Sequence, residues 1–118
     1  MSMYNQNTTD VDIDFVFMST QTNLGTINAA VDWADATAES ANVLGVIITD
    51  GTDVATNLVT GRLSTWSLIS GSPSFSQLPM LLQADEGSTS VYVSGVLRDG
   101  TPTFAADDID LIFHIEYL

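Results

Sequence analysis

Apolar and polar residues alternate with period two along much of this chain, beginning at "DVDIDFVF", residues 10–17. Asp10, Asp12 and Asp14 interleave with Val11, Ile13, Phe15 and Phe17. Such alternation places apolar side chains on one face of a β-strand and carboxylates on the other. A first strand is therefore predicted over 10–18. The pattern returns in "DIDLIFHIEYL", residues 108–118, with Ile109, Leu111, Phe113, Ile115 and Tyr117 on one face. Asp108, Asp110, Ile112, His114 and Glu116 occupy the other.

Between these ends the punctuation is dense. "NVLGVIIT", 42–49, is a compact apolar run rich in β-branched residues and reads as a strand buried on both faces. "TDGTD", 49–53, is a turn. One strand is predicted at 62–69 and a short one over "LPMLLQ", 78–83, where Pro79 places it at an edge or makes its first residue the bend. "SVYVSGVL", then "RDG", then "TPTF" reads as a hairpin closed at Arg98-Asp99-Gly100. "INAAVDWADATAESA", 27–41, admits two readings: a short helix near 28–41 capped by Asn28, or a strand through "TINAAVDW". Alanine carries most of its apolar spacing.

Turn signals at steps of roughly ten residues separate seven or eight short strands. That is the signature of an all-β sandwich or barrel, and a single antiparallel β-sandwich is the fold expected here. Residues 1–9, "MSMYNQNTT", are mostly polar and read as a flexible N-terminal arm, leaving 10–118 as one sandwich domain. The arm has neither the basic nor the apolar segment of a secretory signal, and no apolar run approaches a membrane span.

Charge changes the picture more than hydropathy does. The 118 residues carry 15 acids against two basic residues, Arg62 and Arg98, for a net charge of −13. Nucleic-acid binding draws on basic groups that displace counterions from phosphate, so direct contact with nucleic acid is excluded as an expectation. Cysteine is absent, which removes disulfides and thiolate metal sites.

The acidic ladders admit three readings. Alternate residues on a strand stand about 7 Å apart. Two exposed carboxylates at that distance repel by roughly 0.6 kcal/mol in water, and by about 2.4 at an effective dielectric of 20. An exposed ladder therefore tolerates its own charge and discourages edge-to-edge pairing. A buried ladder would need a cation. Hard oxygen ligands favour Ca²⁺, held by Asp10, Asp12 or Asp14 if these meet Asp108 or Asp110, with Asp107 alongside. A glycosidase-type carboxylate pair is the third reading. First and last strands lying side by side would bring the two ladders together.

Other catalytic signals are thin. His114 is the single histidine, and no nucleophile elbow, phosphate loop or zinc-binding helix motif is present. No enzymatic activity is expected. Arg62 and Arg98 are expected to pair with acids on a neighbouring strand or subunit. Trp33 and Trp66 read as core or interface anchors, with sugar stacking as the alternative.

The arm "MSMYNQNTT", the hairpin "VYVSGVLRDGTPTF" and the closing strand "DIDLIFHIEYL" together carry a resemblance of style. A small, cysteine-free β-domain built this way resembles viral coat, decoration and other virion structural proteins, many of them jelly-roll-like. The resemblance implies a non-enzymatic homo-oligomer in a virion or extracellular assembly, with other structural subunits as further partners. The arm departs from genome-packaging coat proteins in having no basic residue, so the implied place is an outer shell or decoration. A carbohydrate- or calcium-dependent binding module or adhesin is the alternative expectation.

Overall fold

The computed structural model describes residues 1–6, 11–26, 29–32, 41–49, 55–58, 60–65, 80–98 and 102–117. Seven strands lie among them: β1 (Ser2–Asn5), β2 (Ile13–Met18), β3 (Val43–Ile48), β4 (Ala55–Leu58), β5 (Gly61–Thr65), β6 (Tyr92–Leu97) and β7 (Ile109–Ile112). Every strand pairing is antiparallel. One sheet has four strands in the order β4-β5-β1-β7, the other three in the order β3-β2-β6. None of the described residues is helical, and no helix is long and apolar enough to cross a membrane. The all-β expectation holds.

The core forms where the alternation said it would. Val11, Ile13, Phe15 and Phe17 are buried together with Ile47 of β3 and Met3 of β1. Ile109 and Leu111 of β7, with Met80, Val91 and Phe104, pack against this cluster. Both sheets thus contribute to one apolar centre. Burying each of the two phenylalanines contributes on the order of 1.5–3 kcal/mol. Space for them comes from their neighbours. Phe15 faces Gly95 and Ile47 across the ladder, and Phe17 faces Gly45 and Val93. A Cβ on Gly45 would stand 2.6 Å from the Met80 sulfur, so the bare backbone there admits Met80.

The four-stranded sheet is centred on β1. Met3 lies opposite Ser64 of β5 and Leu111 of β7, and this row faces the core. Tyr4 lies opposite Leu63 and Asp110, so that row faces outward. The Tyr4 ring leans over Gly61, where a Cβ would come within 3.0 Å of it and 2.6 Å of the Asn5 carbonyl oxygen.

Several expectations are corrected. The flexible N-terminal arm fails at residues 2–5: they form a strand paired on both sides, with Met3 and Asn5 only 3% exposed. Hydrogen bonding to both neighbours satisfies the backbone of a segment whose side chains look polar. The 92–97 strand exists, but its partner is β2 rather than "TPTF", and Pro102–Phe104 lie outside any strand. Met80–Gln83 of the predicted 78–83 strand are likewise outside any strand. β4 is a strand that apolar alternation did not mark. On β2 the polar face ends at Asp14, because Val16 and Met18 are buried on the same side of the strand. The 42–49 run is a strand over Val43–Ile48, mostly half-buried with Ile47 buried, and Thr49 just after it is buried too.

The 27–41 helix is not supported over Ala29–Asp32, which are outside any helix. There the Asp32 N–H donates to the Leu24 carbonyl and the Ala29 N–H to the Thr26 carbonyl. Its other central residues, with Trp33, lie outside the described residues, as do Trp66, Asp99 and Gly100.

Candidate functional site

The two acidic ladders fall on different sheets. Asp12 and Asp14 belong to β2 and its approach, in the three-stranded sheet. Asp108 and Asp110 belong to β7 and its approach, in the four-stranded one. β7 runs beside β1, and β2 runs between β3 and β6, so the first and last predicted strands are not neighbours. Asp10 lies outside the described residues. Among the described residues no three acidic or histidine side chains gather as a metal-binding group.

Each ladder instead has a local job. Asp14 Oδ1 accepts from Arg98 Nε at 2.7 Å. The Arg98 Nη2 donates to the Thr49 carbonyl at 2.6 Å, and the Arg98 backbone N–H donates to the Asp12 carbonyl at 2.9 Å. Arg98 follows β6, Asp14 sits in β2 and Thr49 follows β3. One guanidinium therefore clasps all three strands of the sheet at the same end. The pairing expected of Arg98 with an acid on a neighbouring strand is present. Arg62, the other arginine, is half-buried on β5 opposite Asn5.

Beneath this clasp, Thr49 is fully buried. Its Oγ1 accepts from the Ile13 N–H at 3.0 Å and donates to the Ile13 carbonyl at 2.6 Å, while its own N–H also donates to that carbonyl at 3.1 Å. A single hydroxyl closes the β2–β3 ladder where the strands end. Sequence reasoning missed it, because Thr49 and Ile13 are 36 residues apart and nothing local marks the pair.

The second ladder closes a turn. Asp107 adopts a left-handed backbone, φ +67°, a conformation short acidic side chains tolerate. Asp108 Oδ2 accepts from the Ala105 N–H at 2.6 Å. Gln6 then holds the turn to the end of β1: its backbone N–H donates to the Asp108 carbonyl and its Nε2 to the Asp107 carbonyl, both at 2.8 Å. Asp110 stands exposed on the outward row of β7.

The remaining candidate surface is apolar. Leu58, Leu63 and Ile112 are exposed on the outward side of the four-stranded sheet, around Tyr4. Beyond β7, residues 113–117 leave the sheet. Phe113 still meets Phe17 edge-to-face, with ring centroids 5.7 Å apart. Ile115 and Tyr117 are 71% and 90% exposed. His114, before Ile115, and Glu116, between Ile115 and Tyr117, are exposed as well. The sequence marked this segment as strand, and its alternation is what makes its exposed apolar side notable. Comparison with family profiles, with curated proteins and with solved structures finds no match.

Proposed function

We propose that this chain is a non-enzymatic structural subunit that forms a homo-oligomer, of the outer-shell or decoration type, in a virion or extracellular assembly. The observation that carries the reading is the exposure of large apolar side chains at two places: Leu58, Leu63 and Ile112 on the outward face of the four-stranded sheet, and Ile115 and Tyr117 beyond β7. Large apolar side chains grouped on an exposed sheet face mark association surfaces. Charged groups are sparse there: Asp110 on the sheet and the His114 and Glu116 pair beyond it. Small hydroxyl residues around this face, Ser2 and Thr65 among them, lose little side-chain entropy when a neighbour covers them.

Connectivity favours a jelly-roll-like sandwich as the scaffold. The first described strand pairs with the last, β1 with β7, and the second with the second to last, β2 with β6. The two pairs lie in different sheets. This nesting is what a long antiparallel ribbon produces when rolled into two layers, the arrangement found in capsid and lectin domains. The alternative, a carbohydrate- or calcium-dependent module, shares that scaffold. Its calcium-dependent form has less to draw on, since Asp14 is engaged by Arg98, Asp108 by the Ala105 N–H, and no three acidic or histidine side chains gather among the described residues.

Absolute molar mass by light scattering, in physiological salt, tests the reading. A discrete multiple of 12.6 kDa is expected. A monomer at concentrations of tens of micromolar would overturn it.

A further inference from the structure

Residues 113–117, Phe-His-Ile-Glu-Tyr, read the same way in both directions by chemical class. Aromatic residues stand at the ends, a polar titratable side chain lies inside each of them, and isoleucine is at the centre. An antiparallel pair of strands related by a two-fold axis matches residues whose numbers have a constant sum. With the axis on Ile115, Phe113 meets Tyr117, His114 meets Glu116, and Ile115 meets itself, each pair occurring twice except the central one. Registers shifted by two residues lose this: an axis on His114 sets His114 against itself and Glu116 against Ile112, and an axis on Glu116 sets two carboxylates against each other. An axis on Phe113, a shift of four, sets Asp110 against Glu116.

The structure leaves this segment available. β7 is the edge strand of its sheet among the described residues, and its ladder with β1 ends at Ser2 opposite Ile112. Residues 113–117 lie outside any strand, although their alternation is that of a half-buried one. An apolar, period-two edge is a template for another chain. Its backbone edge is satisfied, and the high exposure of Ile115 and Tyr117 is reduced by cross-strand neighbours, if a second strand pairs with it. The partner must suit a molecule of net charge −13. A second copy does so only where its contact is free of like-charge opposition, and the Ile115-centred register meets that condition.

We propose that residues 113–117 extend β7 and pair antiparallel with the same segment of a second copy, about a two-fold axis at Ile115. The contact joins two four-stranded sheets edge to edge, with aromatic Phe113–Tyr117 pairs on one face and His114–Glu116 pairs on the other. Cross-strand aromatic pairs stabilise such ladders, and the imidazole N–H of each His114 can donate to the opposite Glu116 carboxylate. This pairing presupposes the self-association proposed above and adds its location and symmetry.

Because the chain has no cysteine, Ile115→Cys creates a single thiol at the proposed axis. Copper-catalysed air oxidation of the full chain should convert it to a disulfide-linked dimer on non-reducing gels. Leu81→Cys, equally exposed but away from the segment, should crosslink at least about tenfold more slowly, a difference set by proximity. Light scattering on His114→Glu, which opposes carboxylates across the axis, should show dimer dissociation rising about tenfold, and adding Glu116→His should restore it. An unsubstituted chain that is oligomeric, with equal crosslinking at both cysteines, overturns the two-fold pairing and leaves the homo-oligomer reading standing. A monomeric unsubstituted chain overturns both.

Discussion

Thr49 and Asp14 show how differently two polar residues at one end of a sheet contribute. Thr49 is fully buried, and its hydroxyl serves both the N–H and the carbonyl of Ile13. Thr49→Val keeps the shape, and the Thr49 backbone can still serve Ile13 and Arg98, but the Ile13 N–H loses its acceptor inside the protein. A buried donor left unsatisfied costs about 1–3 kcal/mol. Urea denaturation of the variant should show a loss in that range, and a loss below about 0.5 kcal/mol would mean water reaches Ile13. Asp14→Asn should cost under about 1 kcal/mol, because its partner Arg98 is 40% exposed and the pair is screened by solvent. The Asp14–Arg98 pair was legible in kind: two arginines among 15 acids will find carboxylates. The Thr49 hydroxyl was not legible, since a threonine at the end of an apolar run looks like strand filler.

At the scale of elements, what the sequence revealed was local and what it hid was pairing. The faces of β2 could be read from Ile13, Phe15 and Phe17, whose alternation with acid is unambiguous. The β6 segment could be read from its β-branched residues, but a Gly-containing turn beside it suggested a hairpin, and the strand instead pairs with β2. Turn chemistry reports what the chain does next, not which distant strand competes for the ladder. β1 was hidden for another reason. In "SMYN" Met3 is the one core hydrophobe, and Asn5, buried on the same face, is polar and gives no hydropathy signal. Its consequence is large, because β1 lies between β5 and β7. Deleting residues 1–6 removes the strand that joins them, together with the Gln6 bonds that hold the Asp107–Asp108 turn. Cooperative unfolding, followed by far-UV circular dichroism in denaturant, should be lost. A loose arm would be dispensable, so a truncated chain within about 0.5 kcal/mol of the full one would mean that β1 does not form.

For the whole molecule the balance is between apolar surface that favours association and charge that opposes it. Each copy carries −13, and bringing two together doubles the charge in one assembly. The acids described are spread over both sheets and the loops, so the repulsion acts between entire subunits rather than at one contact. Such long-range repulsion is governed by screening: the Debye length falls from about 30 Å at 0.01 M salt to about 3 Å at 1 M. Apolar contacts respond in the opposite sense to a denaturing salt effect and are held or strengthened by salts excluded from the surface. Oligomer mass should therefore increase as sodium chloride is raised from about 0.01 M to about 0.5 M, with subunit dissociation weakening at least about tenfold. Calcium chloride at matched ionic strength separates two causes. If it matches sodium chloride, screening is sufficient. If it drives assembly further and a chelator reverses the excess, carboxylates of neighbouring copies bridge through the cation, which would give the acidic ladders a partner that neither sheet supplies. A mass that stays constant across the whole salt range and with chelator would show that repulsion between subunits plays no part in assembly.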